Sequence, residues 1–176
     1  MIPPSSAADE SARRPTALLL VYTWDIVRAI LALLGALAAF ADQVSVGGRV
    51  ITQSTGAQIV AAVASASLAA SLFVIGTLLI RRSAWVRRAQ IVILAMDAAI
   101  VLGSVGVYEL GAHAFDLTPL LVSALFGLVD LCALTAMTSP RISAWFREPG
   151  PVPLYVGGLI AFWAATSVAL VLLRSF

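Results

Sequence analysis

Residues 17–41 read ALLLVYTWDIVRAILALLGALAAFA. A helix rises about 1.5 Å per residue, so about 20 apolar residues cross the roughly 30 Å of hydrocarbon in a bilayer. This run exceeds that length, yet it carries Asp25 and Arg28. The two facts together decide the fold. The run is a membrane-crossing helix, and its charged face turns toward other helices rather than lipid.

Four more apolar runs follow. Residues 57–80 and 152–173 carry no charge, 89–108 carries Asp97 and 117–137 carries Asp130. The chain of 176 residues is 61% hydrophobic and 11% charged, against about a quarter charged in a soluble domain. Its mean hydropathy is +1.00. A soluble globule of this size cannot hide so much apolar surface. The predicted fold is an all-α integral membrane protein, a bundle of five transmembrane helices with a four-helix core and a C-terminal span. Residues 1–16, MIPPSSAADESARRPT, read as a disordered cytoplasmic tail, and 17–176 as the transmembrane domain.

Arginine placement gives the orientation. Arg13, Arg14, Arg81, Arg82, Arg87, Arg88, Arg141 and Arg147 fall on one side of such a bundle, and only Arg49 and Arg174 on the other, with Asp42, Glu109 and Asp116. Short loops rich in arginine stay in the cytoplasm. The N-terminus is therefore expected inside and the C-terminus outside. Ala39-Phe40-Ala41 also fits a small-x-small cleavage pattern, which would leave four spans. The apolar stretch begins well before Arg28, which makes for an unusually long and greasy leader, so an uncleaved span is the better account. Arg13-Arg14 resembles a twin-arginine start but has no further export motif beside it.

The charges inside the spans are the most informative set. Asp25 and Asp97 each lie eight residues into a run from the cytoplasmic side, and Asp130 lies seven residues before the end of its run. All three are expected about 10–12 Å deep, with Arg28 one turn deeper than Asp25 on the same face. Each buried charge costs about 2.5–3.5 kcal/mol on insertion scales, on the order of 10 kcal/mol for four. That is tolerable when they face the interior and pair. The stripes Asp25-Arg28-Ala32-Ala36-Ala39, Gln90-Leu94-Asp97-Val101-Ser104 and Ser123-Gly127-Asp130 agree with such a layer. Three carboxylates against one guanidinium leave two negative charges over. Protonation, a bound cation or a partner's basic groups would each offset them.

Two loops echo one another at an offset of 60. Arg81-Arg82-Ser83-Ala84-Trp85-Val86-Arg87 matches Arg141-Ile142-Ser143-Ala144-Trp145-Phe146-Arg147 at five of seven positions. Arg81, Arg82, Trp85, Arg87, Arg88, Arg141, Trp145 and Arg147 are expected as interface anchors, arginine reaching phosphate and tryptophan sitting at the headgroups. The match points weakly to a duplicated two-helix unit. The segments RRSAWVRRAQIVIL (81–94) and TSPRISAWFRE (138–148) resemble the loops of small multi-span membrane proteins from high-GC Gram-positive bacteria. The resemblance covers residues 17–147 loosely. It implies a four-helix core in a bacterial cytoplasmic membrane and brings no known activity. The fifth span departs from it.

Weaker signals complete the inventory. Ala62, Ala66 and Ala70, and Gly157, Ala161 and Ala165, recur every four residues as small faces for close helix packing, within the monomer or in a homo-oligomer. Glu109, His113 and Asp116 have spacings that would suit a metal on a helix, but Gly111 between them favours a solvated outer loop. Cys132 is the single cysteine and lies in an apolar run, so no internal disulfide forms. The chain has no glycine-rich phosphate loop, zinc signature or nucleophile elbow, and no cofactor is called for. A net charge of +2 without a basic stripe does not suit nucleic acid. The expected role is a non-enzymatic accessory or assembly subunit held by its Asp/Arg layer, whose partners are the lipid bilayer and another membrane protein or a second copy. A proton- or cation-coupled transporter using Asp97 and Asp130 is the alternative, and a lipid-modifying enzyme the third.

Overall fold

The computed structural model describes residues 15–41, 43–46, 49–108 and 117–175. The chain is built of helices, as its apolar runs predict: α1 Thr16–Ala38, α2 Thr55–Leu78, α3 Ala84–Tyr108, α4 Leu117–Thr138, the short α5 Pro140–Trp145, and α6 Leu154–Ser175. Between α1 and α2 lies a hairpin of β1 Gln43–Val46 and β2 Arg49–Thr52, running antiparallel from Gln43 opposite Thr52 to Val46 opposite Arg49. Valine, isoleucine and threonine favour this extended pairing. The expected tail over 1–16 lies, up to residue 14, outside the described residues.

Helix ends have local causes. Ser54 caps α2 by accepting from the Ala57 N–H at 3.2 Å, and Ser139 caps α5, with Pro140 behind it at a position that needs no N–H. At the far end of α1, Gln58 donates to the Ala41 carbonyl at 3.2 Å and Gln53 at 3.3 Å. These amides take up carbonyls that the helix itself leaves unpaired.

Among the described residues, four segments are long and apolar enough to cross a membrane: Thr16–Ala38, Thr55–Leu78, Leu120–Thr138 and Leu154–Leu173. Helix α3 is of similar length but carries Arg87, Arg88 and Asp97. The outer surface is apolar as well, with Leu20, Leu37, Leu125, Leu128 and Phe162 exposed. Water-soluble monomers rarely display so much contiguous apolar surface.

Packing joins α1 to α2, α2 to α6, and α3 to α4; α6 also touches α3, whereas α2 and α3 meet only lightly. The predicted division into a four-helix core plus an added span is therefore overturned. Val156, Ile160 and Trp163 of α6 are buried in the same core as Leu72, Ile75 and Ile93. The α1–α4 seam is as light as that between α2 and α3, and an apolar groove of about 410 Å³, lined by Leu20, Val27, Val129 and Cys132 among others, runs along it.

Candidate functional site: a buried ionic clamp and the carboxyl beside it

Helices α1, α3 and α4 each bring charge to the interior. Arg28 projects from α1, one turn beyond Asp25, on the face that also carries the buried Val21 and Leu18. Its two terminal nitrogens divide between two acids: Nη2 pairs with Asp97 Oδ2 of α3, and Nη1 with Asp130 Oδ2 of α4. The planar guanidinium presents donors in a fixed fork, which suits it to hold two carboxylates at once. Asp130 is fully buried, and its Oδ1 accepts a hydrogen bond from Trp24 Nε1 at 2.8 Å. The Trp24 ring in turn meets Phe126 with centroids 5.5 Å apart, and the Arg28 guanidinium carbon lies 5.8 Å and 5.7 Å from these two rings. Aromatic faces carry partial negative charge and so add to the stabilisation of the cation. Gly127, one turn before Asp130, lets α4 approach α3: a Cβ there would stand 3.3 Å from Leu102 Cδ2.

Asp25 is not in this clamp. The sequence places three carboxylates around one arginine, whereas the structure ties two to Arg28 and turns the third toward α3. Asp25 Oδ1 accepts from Gln90 Nε2 at 2.9 Å, and both side chains are 0% exposed. Asp25 Oδ2 and Gln90 Oε1 are buried without a hydrogen-bond partner. Gly76 of α2 makes room for this pair, since a Cβ on it would lie 3.7 Å from Asp25 Cβ and 3.7 Å from the Tyr22 ring. Nearby hydroxyls are committed to their own helix, Ser71 Oγ donating to the Ser67 carbonyl at 2.8 Å and Ser67 Oγ to the Ala64 carbonyl at 2.9 Å.

Sequence reasoning missed Trp24 and Phe126 as partners of the charges, and put Gln90 on the inward stripe of α3 without giving it a role. The available signal for Trp24 was its spacing of four from Arg28, which places the two on one helical face.

The predicted anchors fall at one end of the bundle, where α2, α4 and α5 end and α3 and α6 begin. Arg81, Arg82, Arg88, Arg141 and Arg147 are exposed there. Arg87 instead donates from Nε to the Met137 carbonyl at 2.9 Å, closing the last turn of α4. Trp85 is 7% exposed, its ring packed within the protein, and Gly150 lies against it. Trp145 is partly buried, under the Arg82 guanidinium at 4.1 Å. The two echoing loops are joined: Ala84 N–H donates to the Glu148 carbonyl at 3.0 Å and Glu148 N–H to the Arg82 carbonyl at 3.1 Å. The copies take different structures, since Trp85 opens the long α3 while Trp145 closes the six-residue α5.

Ala66 and Ala70 of α2 and Gly157, Ala161 and Ala165 of α6 face outward, with Ala62 half-buried. The buried face of α2 is the neighbouring one, through Ala61, Ala64 and Ser67. Glu109, His113 and Asp116 lie outside the described residues, and among the described residues no group of three acids, histidines or cysteines is placed to hold a metal. No family model, curated protein or solved structure matches this chain.

Proposed function

We infer that this is a five-span protein of a bacterial cytoplasmic membrane, with its N-terminus inside, and that it serves as a non-enzymatic accessory or assembly subunit. The observation that carries this reading is the closure of the clamp. Arg28, Asp97, Asp130 and Trp24 satisfy one another, so the interior charges are spent on holding three helices in register. Buried polar networks of this kind fix one packing among several that an apolar interior would allow. The alternative of a transporter working through Asp97 and Asp130 loses support for the same reason, because both carboxylates are engaged by the same guanidinium.

Orientation rests on the arginines at 13–14, 81–88 and 141–147. With α3 counted as the third crossing, the five crossings put the C-terminus outside. The exposed arginines would reach anionic headgroups. The outward small-residue faces of α2 and α6 are the surfaces offered to a partner helix or a second copy, since small side chains let backbones approach closely in lipid.

Gentle extraction into lipid nanodiscs followed by native mass spectrometry tests the role. The expected species is a complex with a partner or a second copy, which Asp97→Asn leaves intact and Ala66→Leu with Ala161→Leu disperses. A lone monomer, or proton flux in liposomes that Asp97→Asn abolishes, would overturn it.

A further inference from the structure

The clamp leaves Asp25 over. It is a carboxyl in the centre of the bundle whose one polar partner among the described hydrogen bonds is a neutral amide. The charged groups that act on it are Arg28 on its own helix and Asp130 on α4, with the Tyr22 ring beside it at Gly76 of α2. Arg28 has both terminal nitrogens on the other two acids. Asp25 thus lies in an interior that already holds two carboxylates on one guanidinium, where a third negative charge has no counterion.

The unpartnered atoms show what is missing. Asp25 Oδ2 and Gln90 Oε1 are both buried, both acceptors, and belong to the two groups already joined by the Nε2–Oδ1 bond. A carboxyl and a primary amide are planar groups of matching outline. When the amide N–H on the same side as the amide oxygen meets one carboxyl oxygen in a shared plane, the amide oxygen and the second carboxyl oxygen come side by side. Two acceptors in that position repel. A proton on the carboxyl oxygen turns it into a donor and supplies both atoms with a partner in a single step, closing a ring of two hydrogen bonds.

The geometry points to Asp25 and Gln90 as a buried proton-binding site, in which one exchangeable proton sits on Asp25 Oδ2 and is donated to Gln90 Oε1. The proton comes from water and no other bond is made or broken. It removes one of the two negative charges left by three acids and one arginine. The site is separate from the clamp and stands whether or not the clamp is purely structural.

Infrared spectroscopy of the full chain in lipid vesicles at neutral pH, in buffers holding choline as the only added cation, reads this directly. The expected result is a carbonyl band of a protonated carboxyl that shifts in heavy water. Asp25→Asn should remove it, and Glu148→Gln, at an exposed carboxyl at the end of the bundle, should not. The asparagine variant should fold, because its amide N–H takes the place of the acid O–H toward Gln90. Gln90→Leu should keep the band but displace it in frequency, which assigns the band even where Asp25→Asn fails to fold. Absence of the band from the unmodified protein, its survival in Asp25→Asn, or its loss when sodium replaces choline would overturn the proposal, the last by placing a cation where the proton is expected.

Discussion

Arg28 is the residue on which the interior charge depends. Removing it leaves Asp97 and Asp130 facing each other without a counterion, and a buried charge stripped of its partner costs about 3–5 kcal/mol. Arg28→Leu should therefore lower the unfolding free energy in detergent by about that amount. Arg28→Lys should fall between, because an ammonium is a point charge and cannot fork to two carboxylates. A triple variant with Arg28→Leu, Asp97→Asn and Asp130→Asn should recover much of the loss, since no unpaired charge remains. Trp24→Phe removes one hydrogen bond to an ionised group and should cost about 1.5–3 kcal/mol in the same titration. If Arg28→Leu unfolds like the unmodified protein, the clamp does not hold the helices. That Asp25 and Arg28 share a face was legible from their spacing. Which acid each would meet was not, because that depends on how α1 is rotated toward α3 and α4, and no local pattern carries that angle.

At the scale of elements, close approach decides which small residues matter. Gly76 admits α1 against α2 at the level of Asp25 and Tyr22. A methyl there would make ordinary contact at 3.7 Å, so Gly76→Ala should be accepted and should stabilise the helix by about 0.5–1 kcal/mol. Gly76→Leu should overfill the crossing and cost about 1–3 kcal/mol, and thermal unfolding of the two variants side by side separates them. Gly150 is tighter: a Cβ would stand 2.7 Å from Ser83 Oγ. Gly150→Ala should displace that side chain and loosen the junction between the two echoing loops, seen as faster hydrogen exchange at the amides of Ala84 and Glu148. Helix positions followed from the apolar runs to within a few residues. The hairpin at 43–52 was missed although its signal is in the sequence: two valine-bearing runs, QVSV and RVIT, stand either side of Gly47-Gly48, a pair that favours a two-residue hairpin loop. The inward face of α2 was not legible. Alanine and serine populate that helix on several sides, and with such uniform residues the hydrophobic pattern does not single out one stripe.

For the whole molecule, four of the five expected spans are long apolar helices among the described residues, because span length is set by bilayer thickness; the remaining run became α3, which carries Arg87, Arg88 and Asp97. The order of neighbours around the bundle was not legible, because in lipid every apolar face is equally acceptable to the solvent and packing is chosen by shape. Reporter fusions at residues 45, 84, 112, 149 and 176 should alternate outside, inside, outside, inside, outside; two successive fusions on one side would remove a span from the count.

The seat of α6 between α2 and α3 bears on the order in which the protein can be made. Those two helices leave the ribosome one after the other, yet their shared wall is completed by a helix that begins at Leu154, 46 residues after α3 ends at Tyr108. Until α6 arrives, the faces of α2 and α3 that it covers should meet lipid instead. A nascent chain halted after residue 150 should therefore be an open, short-lived intermediate, cleared quickly by membrane proteases. Supplying residues 151–176 as a separate peptide should lengthen its lifetime in a pulse–chase measurement. The insertion of α6, on this view, drives in a wedge.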